Sequence, residues 1–432
     1  MLVPLPDCTI KQSDFRGWKG CYLSNGYVTL VAVPDIGGRI MAYDLGPYSY
    51  FFVDPELAGK LFSPEENMGE GKLADWKNYG GDKTWPSPQG RENDGQWHGP
   101  PDPVLDTGRY SLDELSCEKN FAIVRMVSPP DERTGVKITR QFTLRQGSSC
   151  VKVDLSFENI VEKPIRWSIW DVVQLRAERK LPDGRITHEP ECSVTTPLNA
   201  ASRYLRGFNV MFGDEDNPQW QADPDTGLFK AQYLWEIGKV GVDSTAGWIA
   251  FSNPVEGFAF AERFVYEPHG EYPDGGVSVE CWTVGAGVVD TLNYEDTEIY
   301  LMETEVLSTL RDIEPGTSSS FQIEWGVCRC PGPIVDVNES GCIGKPLSAS
   351  QKGDYIHLSG LFGVFDVGAL KIVWIGAEEE VLAVEQLRSV NPLGAVIIDE
   401  ITSFPIGTRR VELRVQAELG NQERVLAGVE VK

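Results

Sequence analysis

Val136-Lys-Ile-Thr-Arg-Gln-Phe-Thr-Leu144 and, one short turn later, Val151-Lys-Val-Asp-Leu-Ser-Phe157 decide the fold class. Side chains alternate between the two faces of a strand, so a period of two puts the apolar residues of each segment on one face and the polar ones on the other. Both read as half-buried strands. The same pattern recurs over Gly26 to Val33, Arg39 to Leu45, Ala122 to Val127, Ile165 to Leu175, Gly247 to Ser252, Gly257 to Val265, Val277 to Val284, Ile299 to Leu307 and Ser319 to Cys328. No long amphipathic helix competes, so the chain reads as all-β, with a large antiparallel sandwich over 1–330.

Cys330-Pro-Gly-Pro333 ends that block, because proline cannot donate to a ladder. Beyond it, Tyr355 to Val367, Leu370 to Ile375, Ala395 to Ile401, Arg409 to Leu419 and Arg424 to Val431 read as strands. Residues 334–432 are therefore expected to form a small immunoglobulin-like β-sandwich.

The 432 residues are 41% hydrophobic, enough for a sizeable core, and carry 39 basic against 64 acidic side chains, a net charge of -25. That charge repels phosphate backbones and anionic lipid surfaces, so neither nucleic acid nor membrane is an expected partner. No export signal or membrane-length apolar run is read, and a cytoplasmic protein is expected. Nine cysteines without paired spacing read as reduced thiols, and neither metal nor cofactor is expected. Gly285-Ala-Gly287 lacks the strand-to-helix context of a dinucleotide site, and the acidic stretch from Asp214 to Asp225 lacks calcium-loop spacing.

Asn78-Tyr-Gly-Gly-Asp-Lys-Thr-Trp-Pro-Ser-Pro-Gln89 lies in a long connection dense in tryptophan. Trp76, Tyr79, Trp85 and Trp97 supply flat apolar faces; Asn78, Asp82, Lys83, Gln89, Arg91 and His98 supply hydrogen-bonding heads. A ring bearing hydroxyls fits that mixture, which points to a sugar or sugar derivative. The bland alternative is a loop whose aromatics plug the end of a β-core. Farther on, Ile299-Tyr-Leu-Met-Glu-Thr-Glu-Val-Leu-Ser308 places Glu303 and Glu305 on one strand face, opposite Met302 and Thr304. Adjacent carboxylates raise the pKa of one member and recur at functional sites; a solvated glutamate face is the alternative.

Leu301-Met-Glu-Thr-Glu305, then Leu310 and Glu314-Pro-Gly-Thr317 and a closing strand through Phe321 to Trp325, resembles the end of the galactose mutarotase-like (aldose 1-epimerase) superfamily. Gly37-Gly-Arg-Ile40, Gly80-Gly81 and Trp85-Pro86 resemble its earlier elements, and the closest likeness is to a functionally unassigned subgroup. The resemblance covers about residues 20 to 330. It implies a β-supersandwich with a sugar site in its concave face and Glu303 at the general-base position.

Opening a hemiacetal ring needs a base on the anomeric hydroxyl and an acid on the ring oxygen. The resemblance implies a histidine acid on a strand matching Pro164 to Leu175, yet that segment holds Trp170 and Asp171 and no histidine. His98 and His269 are the candidate substitutes. Arg39, Asn78, Asp82, Lys83, Trp85, Gln89, Trp170, Asp171 and Glu305 are the expected substrate-binding residues, with Lys83 able to pair a sugar carboxylate or phosphate. Two functions stand: a sugar epimerase or mutarotase using Glu303, and a catalytically silent carbohydrate-binding or adaptor protein. The C-terminal sandwich is the expected surface for a protein partner or a second copy.

Overall fold

The computed structural model describes residues 4–295, 297–420 and 422–431. Strand accounts for 54% of the chain and helix for 3%, so the class is all-β. A five-stranded antiparallel sheet opens the chain, running in sequence order from Thr9–Phe15 to Tyr48–Ser49. Two larger sheets follow. The ten-stranded sheet runs Trp220–Asp223, Leu228–Gln232, Ser193–Pro197, Trp248–Asn253, Phe258–Phe264, Ser318–Arg329, Val151–Asn159, Val136–Arg145, Phe121–Val127 and Ser111–Glu118. The seven-stranded sheet runs Asn209–Phe212, Gly238–Val242, Val279–Thr283, Leu301–Leu307, Ile165–Arg176 and Arg311–Ile313, with Asp82–Ser87 also paired to Ile165–Arg176.

Val136–Arg145 and Val151–Asn159 alternate buried and half-buried along their lengths, as a period of two requires. Val136, Ile138, Phe142 and Leu144 enter the main core with Val151, Val153, Leu155 and Phe157. Arg140 stands on that same inward face and is fully buried. Its NH1 donates to the Gly38 carbonyl at 2.7 Å and its NH2 donates to Asp82. This charge holds the two sheets together, because Asp82 belongs to the seven-stranded sheet.

Asp82–Ser87 corrects the expectation of an irregular loop there. The segment is a strand, with Lys83 opposite Val172 and Trp85 opposite Trp170. It lies beside one neighbour only, where Pro86 is tolerated because no second ladder needs its missing N–H. Gly80 leads into it with φ at 93°, and a Cβ there would come within 2.2 Å of the Phe52 carbonyl oxygen. Only glycine fits that approach.

After Arg329 the chain passes Cys330 to Pro333 and forms two four-stranded antiparallel sheets. These are Asp336–Val337, Gly341–Lys352, Tyr355–Val364 and Val396–Ser403 in one, and Val381–Val390, Gly368–Ile375, Arg410–Ala417 and Glu423–Glu430 in the other. They share a core that includes Leu358, Phe362, Ile372, Trp374, Ile398 and Leu413. All nine cysteines are free thiols. No helix of the described residues is long and apolar enough to cross a membrane.

Candidate functional site

The outer face of the seven-stranded sheet is built in cross-strand rows, because residues opposite each other in register share a face. One row is Lys239, Trp282, Glu303 and Gln174. The next is Glu280, Glu305, Val172 and Lys83, and a third pairs Trp170 with Trp85. Segments far apart in the chain thus deliver acids, cations and indoles to one surface. Over it lies a hollow of about 130 Å³, lined by Trp76, Asn78, Trp85, Gln89, Trp170, Gln174, Lys239, Trp282, Tyr294 and Glu303, among others. That volume is near the ~150 Å³ of an engineered cavity that holds a benzene ring, so one six-membered ring fits within it.

Glu303 is 8% exposed. Its Oε1 accepts from Lys83 Nζ at 2.9 Å and from Gln174 Nε2 at 2.6 Å. Its Oε2 has no hydrogen bond among the described residues, so one oxygen is anchored and the other is available to a ligand. Lys83 is buried, with its ammonium 4.9 Å from the centre of the Trp85 ring. Burial lowers its pKa from the ordinary lysine value, and the Glu303 carboxylate works against that shift.

Two indoles are fixed from behind. Trp76 Nε1 donates to Asp106 Oδ2 at 2.7 Å, and Trp85 Nε1 donates to Asp106 Oδ1 at 3.2 Å. Arg39, fully buried, donates to Asp106 and to the Gly80 carbonyl, the latter at 3.0 Å. Burial raises the Asp106 pKa, against the pull of Arg39 and Lys83. The Gly37 turn makes room for this arrangement: φ is 82°, and a Cβ would fall 1.9 Å from the Asp106 carbonyl oxygen.

A second charged group flanks the hollow. Lys239 Nζ lies 2.6 Å from Glu280 Oε2, 3.0 Å from Glu305 Oε2 and 4.2 Å from the centre of the Trp170 ring. Trp170 Nε1 donates to Glu305 Oε2 at 2.8 Å. Burial raises the pKa of both glutamates, and the ammonium opposes it. The two carboxylates also push Lys239 above its usual value, overcoming the opposite effect of its burial.

Of the residues expected from the sequence, Asn78, Trp85, Gln89, Trp170 and Glu303 line the hollow together. Lys83 and Glu305 sit on the same sheet face and reach it through Glu303 and Lys239. Three expectations are corrected in position. Asp82 and Asp171 occupy the opposite strand parity and point into the sandwich, where Arg140 holds Asp82 and Thr84 Oγ1 donates to Asp171 Oδ1 at 2.9 Å. Arg39 is sealed behind Asp106. Burial, with the Asp82 charge adding to it, raises the Asp171 pKa to about 7.

His98 and His269 are exposed, and neither is among the residues lining the hollow. Tyr79 and Trp97 are core residues; Trp97 donates to Asp102 Oδ2 at 2.7 Å and backs Trp85 at 4.9 Å between ring centres. Lys239, Glu280, Gln174, Trp282 and Asp106 were not singled out from the sequence. Lys239 and Glu280 stood at alternate positions of short strands, where a charge reads as a solvated face.

A larger groove of about 740 Å³ lies elsewhere, lined by Gln12, Lys19, Asp35, Arg109 and Leu112 among others. Its Arg109 and Asp35 pair with each other at 2.7 Å, and it has no counterpart of the indole-framed glutamate. The smaller hollow is the candidate site.

Among solved structures, the chain is similar to the YeaD protein of Salmonella typhimurium, with 10% identity, a TM-score of 0.48, and coverage of 76% of this chain and 95% of that one. It is similar to a galactose mutarotase-like protein of Clostridium acetobutylicum, with 10% identity, a TM-score of 0.45, and coverage of 75% and 99%. A TPR-domain containing protein of Parabacteroides distasonis matches at 12% identity and a TM-score of 0.45, covering 74% of this chain and 49% of that one. No curated protein matches the sequence. Residues 19–328 match the family described as a domain of unknown function, DUF4380, and the chain belongs to that family.

Proposed function

We propose that the protein binds a single sugar ring, or a sugar derivative, in this hollow and catalyses its ring opening and epimerisation with Glu303 as general base. The observation that carries the reading is Glu303 itself. One carboxylate oxygen is fixed by Lys83 and Gln174 while the other is unengaged at the floor of an indole-framed cavity. Stacking on Trp76, Trp85 or Trp170 orients a pyranose, and Asn78, Gln89 and Gln174 supply donors and acceptors for its hydroxyls. The free oxygen then takes the anomeric proton. Lys83 is already neutralised by Glu303, so this reading assigns it to holding the base and not to pairing an anionic substituent.

The experiment is polarimetry on freshly dissolved aldoses. Wild type is expected to accelerate the drift of optical rotation, and Glu303→Gln to remove roughly 100-fold or more of that acceleration. No acceleration of any aldose by wild type would overturn catalysis. A catalytically silent sugar binder is the second reading, favoured by the lack of a histidine among the described lining residues; it predicts saturable binding without turnover.

A further inference from the structure

We propose that Lys239, backed by the Glu280 and Glu305 carboxyl pair, is the proton donor of the hollow, an assignment that rests on reading Glu303 as the base. Among the described lining residues, only Lys239 and Tyr294 carry a proton that could pass to a ring oxygen, since indoles and amides do not release theirs. Tyr294 stands off the seven-stranded sheet, just past the Leu292–Asn293 strand, whereas Lys239 is on the same sheet as Glu303. Two hydrogens of the Lys239 ammonium face Glu280 and Glu305, and the third has no acceptor among the described residues. Lys239 and Glu303 stand in one cross-strand row on either side of Trp282.

The carboxyl pair provides a source from which the proton given up by Lys239 is replaced. Glu280 and Glu305 lie directly opposite each other in register, and the Oε1 of each is buried without a partner among the described residues. Two facing carboxylates, each with a buried oxygen that lacks a donor, are costly to keep fully charged, and one proton shared by the pair reduces that cost. Their raised pKa values agree with such a proton. With it, the unit of one ammonium and two carboxyls is neutral, and it can recharge Lys239 as Lys239 donates.

The step balances. Glu303 Oε2 takes the anomeric hydroxyl proton while the bond from the anomeric carbon to the ring oxygen breaks. The electron pair of that bond stays on the ring oxygen, which takes a proton from Lys239 Nζ, and the shared carboxyl proton passes to Nζ. Rotation of the freed carbonyl and closure on its other face return both protons along the same routes.

Lys239→Arg in the full chain is the test, because guanidinium keeps the charge and both ion pairs but does not deprotonate. It is expected to retain saturation-transfer NMR contact with a panel of monosaccharides and to lose roughly 100-fold in turnover with little change in KM. If arginine disturbs folding, judged by circular dichroism, Lys239→Gln replaces it with the same expectation. A variant that binds and turns over like wild type, while Glu303→Gln is inactive, overturns the Lys239 assignment and leaves the base in place. Wild type that binds but never turns over overturns both.

Discussion

Arg140→Met would remove the cation that pairs with Asp82 and lies beside Asp171 inside the sandwich. Its NH2 donates to Asp82 and lies 3.8 Å from Asp171 Oδ1, and all three side chains are fully buried. Removing one partner of a buried pair costs about 3–5 kcal/mol, mostly from the charge left behind. The Gly38 carbonyl also loses its donor, worth about 1 kcal/mol if water does not replace it. Asp82 keeps the Ile40 N–H and Asp171 keeps Thr84, which limits the total to roughly 4–5 kcal/mol. At about 1.4 °C per kcal/mol for a cooperative block of roughly 330 residues, the melting temperature should fall by roughly 6–7 °C. Urea unfolding of wild type, Arg140→Met and Arg140→Met/Asp82→Asn reads the effect, and the double variant should recover part of the loss because it removes the stranded carboxylate. A single variant within about 1 kcal/mol of wild type would refute the account of how the sheets are joined.

Asp171, raised to about 7, binds its proton more tightly folded than unfolded, so its contribution to stability falls as pH rises from about 4 to 7. Asp171→Asn should flatten that decline, measured as melting temperature against pH; an unchanged slope would count against it. Trp76→Ala, at a half-buried position, should weaken sugar binding by roughly fivefold, about 1 kcal/mol for a lost aromatic contact, and should also lower the melting temperature, because the buried Asp106 carboxylate loses the indole donor. His98→Ala and His269→Ala should leave binding and turnover unaltered, checked by the same titrations, because both rings lie outside the hollow.

The fold class was legible because alternation survives even a buried charge: Arg140 sits at an inward position of Val136–Arg145 without breaking the pattern around it. The shared face of Glu303 and Glu305 was legible for the same reason, since parity along one strand is local information. Asp82–Ser87 was not, because both its faces are buried and carry polar groups, Asp82 and Thr84 inward and Lys83 outward. Gly238–Val242 was missed because two glycines dilute a five-residue strand. Lys239 and Glu280 became site residues only through register with Leu301–Leu307, and register between distant strands is not written in either segment. The same rule explains Asp82 and Asp171: composition placed them near Lys83 and Trp170, but one step along a strand turned them to the other side.

Saturation-transfer NMR on wild type and Trp76→Ala, with a panel of neutral monosaccharides, tests most directly whether the indoles above Glu303 hold a sugar ring. Saturable transfer to ring protons in wild type, weakened in Trp76→Ala and unaffected by His98→Ala, is the predicted result. No transfer to any sugar from the wild-type protein would contradict it.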